Sequence, residues 1–179
     1  NVLAVSKVQS KENYVYKSVS INSSIKSVIP IVQQQYKNHK IVTEFNEKLP
    51  PIVVDNNNFQ QIIINLVENA CKYSKEGSEV KVKTDFAPND FVSIKIIDHG
   101  VGIKEEDKEK IFEKFSRIDN PLTREVQGSG LGLFITKNLV ENMNGKINVE
   151  SSEKGTTFEV LMPIGDIENQ ARAKCAPKH

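Results

Sequence analysis

The stretch FQQIIINLVENACKYS, residues 59–74, decides the fold. Phe59, Ile62, Ile63, Leu66, Val67 and Ala70 recur at the three- and four-residue intervals of a buried helix face. Asn65, Asn69 and Tyr73 are spaced four apart, and Lys72 follows Asn69 by three, so the same helix also carries a polar stripe. Asp55 or one of the asparagines after it is the expected cap. Such a helix must lay its apolar face on other secondary structure.

The partners are legible on both sides. Upstream, VSI (19–21) reads as a strand, and Asn22 or Ser23 caps a helix with Ile25, Ile29, Val32 and Tyr36 on one face. Pro30 falls inside that helix as a candidate kink. IVTEFN (41–46) alternates as a half-buried strand does. Downstream, EVKVKTDF (79–86) points Val80, Val82, Thr84 and Phe86 inward and turns through PND into FVSIKIID (91–98), a hairpin with one wet face. EEDKEKIFEKF (105–115) is expected to be a short charged helix, and residues 116–127, with Pro121, a mobile loop. A further helix runs from near Gly130 to Met143 and closes at Asn144 and Gly145. KINVES (146–151) and TTFEVLMP (156–163) are strands around the turn SEKG. The pattern predicts a two-layer α/β sandwich: a mixed, mostly antiparallel sheet of about five strands covered on one face by three helices.

Composition narrows the function classes. The 179 residues suit one compact domain, with 38% hydrophobic and 26% charged residues. A net charge of +1 gives no global attraction to nucleic acid or to an anionic membrane. No apolar run approaches the roughly 20 residues of a membrane span, and Asn1 opens no signal-peptide pattern. Cys71 and Cys175 form no disulfide framework, so a reducing, cytoplasmic setting is expected.

Three stretches can carry chemistry. On the polar stripe, an amide oxygen is a ligand that a hard cation such as Mg²⁺ accepts, and a lysine nearby neutralises phosphate; a solvated helix face is the plain alternative. In IIDHGVGI (96–103), a strand ends in Asp98 and two glycines follow. That carboxylate can accept from the amino group of adenine and disfavour guanine, although Asp-x-Gly turns also occur with no such role. GSGLGLF (128–134) places glycines at a helix N-terminus, where free amides receive phosphate. It lacks the lysine of a P-loop and the preceding strand of a Rossmann turn.

Taken in order, NLVENACKYS, DHGVGI, IFEKFSR, GSGLGL and GTTF resemble the five motif boxes of the catalytic ATP-binding domain of sensor histidine kinases. The resemblance covers residues from about 20 to 163 and implies the Bergerat-type ATP-binding fold that this family shares with gyrase. It implies that Asn69 holds Mg²⁺ with Asn65 in support, that Lys72 reaches the phosphates and that Tyr73 flanks the nucleotide. Asp98 accepts from adenine, with Gly100, Gly102 and Ile103 shaping the pocket. Residues from Ser116 to Gly128 correspond to an ATP lid, with Phe115 at its base, Arg117 as a γ-phosphate contact and Arg124 as a second one. Gly128, Ser129, Gly130, Leu131, Gly132 and Leu133 correspond to the phosphate side, and Thr156 or Thr157 to the last box.

The resemblance further implies a kinase of two-component signalling. Its partners are ATP, a dimerisation domain carrying the phosphoacceptor, and a cognate response regulator; the parent is expected to be a homodimer and the isolated chain a monomer. Residues 1–15 resemble the end of the dimerisation hairpin and a linker, residues 16–164 the catalytic domain, and residues 165–179 are expected to be a disordered tail. His39, His99 and His179 do not match the acceptor motif, so the acceptor is expected on a segment other than these residues. Hydrolytic relatives place a glutamate base where Asn65 stands. An amide is a poor base, which favours transfer to a protein over hydrolysis; a hydrolytic clamp and a non-catalytic nucleotide-binding module are the alternatives.

Overall fold

The computed structural model describes residues 14–116 and 129–165. Its strands are β1 (Tyr16–Val19), β2 (Lys40–Phe45), β3 (Ile52–Asp55), β4 (Glu79–Ala87), β5 (Phe91–Ile97), β6 (Lys146–Ser152) and β7 (Gly155–Pro163). Its α-helices are α1 (Ile21–Gln35), α2 (Asn56–Tyr73) and α3 (Gly132–Asn142). Five strands form one sheet in the order β2-β4-β5-β7-β6, parallel between β2 and β4 and antiparallel elsewhere. The expected two-layer sandwich is therefore present. No helix among the described residues is long and apolar enough to cross a membrane.

The parallel pair explains why α2 is where it is. Parallel neighbours cannot be joined by a tight turn, so the chain must cross over the sheet between them. Here β3 and α2 make that crossing, and all six apolar positions of the α2 face are buried. They meet Val80, Val82, Ile94, Ile96, Val160 and Met162 from alternate positions of the central strands. The other sheet face is polar, with the ion pairs Lys81–Glu44 and Lys95–Glu159 lying across it.

Local chemistry moves several expected boundaries. Ser20, not Asn22 or Ser23, caps α1, its hydroxyl accepting from the Ser23 amide at 3.4 Å. Asn22 is instead buried, donating to the Asn46 carbonyl and accepting from the Thr84 hydroxyl. Pro30 therefore lies well inside α1, and its exposed position lets water satisfy the carbonyl left without a donor. VSI is not itself a strand: β1 ends at Val19, and Ile21 already opens α1. β1 pairs antiparallel with β3, a fully buried strand of four residues whose unbroken apolar run has no period to read.

Two further expectations fail for want of cover. Phe86 is half exposed, because β4 runs past its last pairing with β2 at Thr84. EEDKEKIFEKF makes two separate 3-10 turns, Glu105–Asp107 and Lys110–Phe112, rather than one helix. Only Ile111 is buried there, with Phe112 half-buried against Phe158, and two adjacent apolar residues do not make the face that would hold a charged helix on the sheet. The expectations for residues 1–13, Pro121, Cys175, His179 and most of the tail fall outside the described residues.

Asp55 ties three parts of the fold together. One carboxylate oxygen caps α2 by accepting from the Asn58 amide at 3.0 Å, and the other accepts from the Val15 amide at 2.8 Å. Asp55→Ala loses both and leaves two amides unpaired. We expect a loss of about 1–3 kcal/mol, read from the midpoint of urea unfolding.

Candidate functional site

The end of β5 delivers Asp98 into the interior, where it is 5% exposed. Its Oδ1 accepts from two backbone amides, Gly100 at 2.8 Å and Thr156 at 3.2 Å. No donor among the described residues reaches Oδ2. Burial pushes this carboxyl above the ordinary aspartate value, and the two amides only partly offset that. The result is a carboxylate fixed in direction by one oxygen, with the other free to accept.

Glycines make this arrangement possible. The Gly100 backbone bridges to Ser74 at the end of α2, and the Val101 amide donates to the Tyr73 carbonyl at 3.3 Å. A Cβ on Gly100 would collide with that carbonyl, so any larger residue would push α2 off the turn. Gly155, which the sequence reading passed over, faces Asp98 as closely from β7 and adopts φ +134. Its signal was the glycine heading the GTTF motif. Ile103 is held by its amide donating to the Ser151 hydroxyl at 2.8 Å, and that hydroxyl lies 2.9 Å from Thr156 Oγ1. Thr156 is buried beside Asp98, whereas Thr157 pairs with Ile97 on the alternate face, so only Thr156 joins the site.

The polar stripe of α2 splits between two neighbours. Asn65 is engaged at both ends: its Nδ2 donates to Thr136 Oγ1 on α3 at 3.3 Å, and its Oδ1 accepts from Gln61 at 2.9 Å. Thr136, fully buried, is a second residue the sequence reading missed; a lone threonine at helical spacing gave no sign of a partner. Asn69, one turn further along, is half-buried and makes no side-chain hydrogen bond among the described residues. Lys72 pairs with Glu68 at 3.2 Å. Burial works against its charge, but Tyr36 and Glu68 outweigh that and hold the ammonium above the ordinary lysine value. Tyr73 is exposed.

The glycine-rich stretch begins α3. Gly130 takes φ +67, and a Cβ there would come within 2.7 Å of the Phe115 backbone and 2.9 Å of the Ser116 carbonyl. The two ends of the intervening segment thus sit side by side, with Phe115 exposed at one of them. Ser129 is exposed and its hydroxyl accepts from the Leu131 amide at 3.4 Å. Leu131 is buried, Leu133 packs partly against the core, and Gly132 opens the helix with no atom near its missing Cβ. Arg117, Arg124 and Gly128 lie outside the described residues. Cys71 offers no nucleophile at neutral pH, because burial pushes its thiol up to about 12.

Fold and site together define a two-layer α/β sandwich with a buried carboxylate at the end of β5, and comparison with known proteins gives it a family. The model for histidine kinase-, DNA gyrase B- and HSP90-like ATPases matches residues 54–166, and the chain belongs to that family. The signal transduction histidine-protein kinase ArlS of Staphylococcus haemolyticus is 34% identical over 147 residues, which are 82% of this chain and 32% of ArlS. The chain thus spans about a third of the length of the curated relatives it matches. Full-length ShkA in complex with AMPPNP is similar at a TM-score of 0.77 and 25% identity, over 90% of this chain and 34% of that one. The catalytic domain of histidine kinase ThkA is similar at 0.72 and 27%, over 83% of this chain and 95% of that one. ThkA in complex with response regulator protein TrrA is similar at 0.70 and 25%, over 84% and 42% respectively.

The raised position of Asp98 has a consequence for stability. A carboxyl that holds its proton more tightly when folded favours the folded state at low pH and loses that contribution as pH rises through its raised value. Asp98→Asn removes this slope. Urea unfolding from pH 3.5 to 7.5 should show the substituted chain gaining on the parent as pH rises, with the gap closing on acidification.

Proposed function

We propose that this chain binds Mg²⁺-ATP and transfers its γ-phosphate to a histidine on a dimerisation domain, as the catalytic domain of a two-component sensor histidine kinase. The observation that carries this reading is Asp98, a buried carboxylate whose Oδ1 is fixed by two amides while Oδ2 has no protein donor among the described residues. An adenine amino group supplies the missing donor; guanine presents an acceptor at the equivalent place and is disfavoured. The AMPPNP complex of ShkA and the family match support nucleotide as the ligand.

The remaining residues take roles around that anchor. Gly100, Gly102, Ile103 and Thr156 shape the adenine pocket, with Tyr73 flanking the nucleotide. The amides of Ser129, Gly130, Gly132 and Leu133 at the start of α3 face the phosphates, where free helix N–H groups favour anions. Magnesium, when bound, spreads the charge of the phosphate oxygens and favours in-line transfer. Asn69 fits that ion, because it is half-buried and its amide oxygen is uncommitted among the described residues. No three His, Cys, Asp or Glu residues gather into a metal group among the described residues. Asn65, committed to Thr136 and Gln61, serves better as the tie holding α3 against α2 than as a metal ligand. Arg117 and Arg124 remain candidates for the γ-phosphate, and Gly128 for the phosphate loop.

Asn65 also separates transfer from hydrolysis, since an amide with both ends engaged cannot activate water. The partners proposed are the dimerisation domain, a homodimeric parent in the cytoplasm, and a response regulator, supported by the ThkA–TrrA complex. Residues 16–164 form the catalytic unit, with residues 1–15 leading from the dimerisation hairpin. Purified chain given Mg²⁺-ATP should bind it with negligible hydrolysis, and a supplied dimerisation domain should gain acid-labile phosphate. Brisk hydrolysis by the chain alone would overturn the transfer reading. Asp98→Asn should weaken ATP binding at least about tenfold with the circular dichroism unchanged; undiminished affinity counts against the adenine contact.

A further inference from the structure

Lys72 already has a partner within the protein. Its ammonium pairs with Glu68, one turn back on α2, at 3.2 Å, with both side chains about a quarter exposed (31% and 23%). Tyr36, the residue that ends α1, contributes with Glu68 to holding the ammonium's proton. Tyr36 is itself held in place: His39 packs edge-on against its ring, and Gln33 donates to the carbonyls of both residues. The lysine head is thus drawn toward α1, whereas Asn65 on the same stripe reaches α3. Glu68 also immediately precedes Asn69, which places a carboxylate beside the residue proposed to hold the metal.

We propose that Glu68 competes with the nucleotide for Lys72 and thereby sets affinity for the phosphates: the triphosphate engages Lys72 only by taking the ammonium from Glu68. This inference rests on the nucleotide reading above. A carboxylate at 3.2 Å cancels most of the lysine's charge as seen from a distance, so Lys72 contributes little until that pair opens. Opening it costs about what a partly exposed pair is worth, and the triphosphate more than replaces it with charge-assisted bonds. Glu68 therefore tunes affinity for ligands that carry phosphates and leaves a ligand with none unaffected.

The test is titration of the 179-residue chain with Mg²⁺-ATP and with adenosine. Glu68→Gln should bind Mg²⁺-ATP about three- to tenfold more tightly with adenosine affinity unchanged, a split that a merely structural role would not produce. In a Lys72→Met background most of that gain should disappear. Equal or weaker Mg²⁺-ATP binding by a folded Glu68→Gln chain overturns the inference. So does a gain that survives undiminished with Lys72→Met, which would assign direct repulsion between Glu68 and phosphate. Thermal melting checks that each variant is folded. Failure of the unsubstituted chain to bind Mg²⁺-ATP would instead overturn the nucleotide reading itself, and this inference with it.

Discussion

The structure depends on burying one face of α2. Because β2 and β4 are parallel, the chain must cross the sheet between them, and α2 is the long element of that crossing. Phe59, Ile62, Ile63, Leu66, Val67 and Ala70 seal it against the strands. At about 25 cal/mol per Å² of apolar surface removed from water, such a face outweighs any single polar contact in the site. The helix is held by its back, which leaves its polar edge free for chemistry.

That division puts the functional groups at the rim of the core. Asp98, Gly100, Gly155 and Thr156 come from the ends of β5 and β7, and the last turn of α2 rests on them through Tyr73 and Ser74. Asp98 is costly to ionise there, and the fold offsets part of the cost with two amides on one oxygen. The direction of the second oxygen is thereby set by backbone, which side-chain motion cannot easily disturb. The proposed adenine contact rests on a constraint imposed by strand pairing and glycine turns.

Much of this was legible in the chain and some was not. The α2 face, the β4–β5 hairpin and the β6–β7 pair each have a clear period, and each formed as read apart from the exposed Phe86. β3 escaped notice because a strand buried throughout shows no alternation. The charged segment 105–115 misled because helix propensity is weak evidence when only the adjacent pair Ile111 and Phe112 finds a place against the core. Within the site, the motifs marked Asn69, Asp98 and the glycines, while Thr136, Ser151 and Gly155 came into view only through their partners.

The sequence by itself determined the fold class, the family resemblance and the residue types available for nucleotide chemistry, because periodicity and motif spacing are local properties. Tertiary structure alone decided how those residues are spent. Asn65, Asn69 and Lys72 share one stripe and similar chemistry on paper. Packing commits the first to α3, leaves the second uncommitted and ties the third to Glu68 and Tyr36. Which polar group is free to meet a ligand depends on what its neighbours already satisfy, and neighbours across helices are set by the packed core.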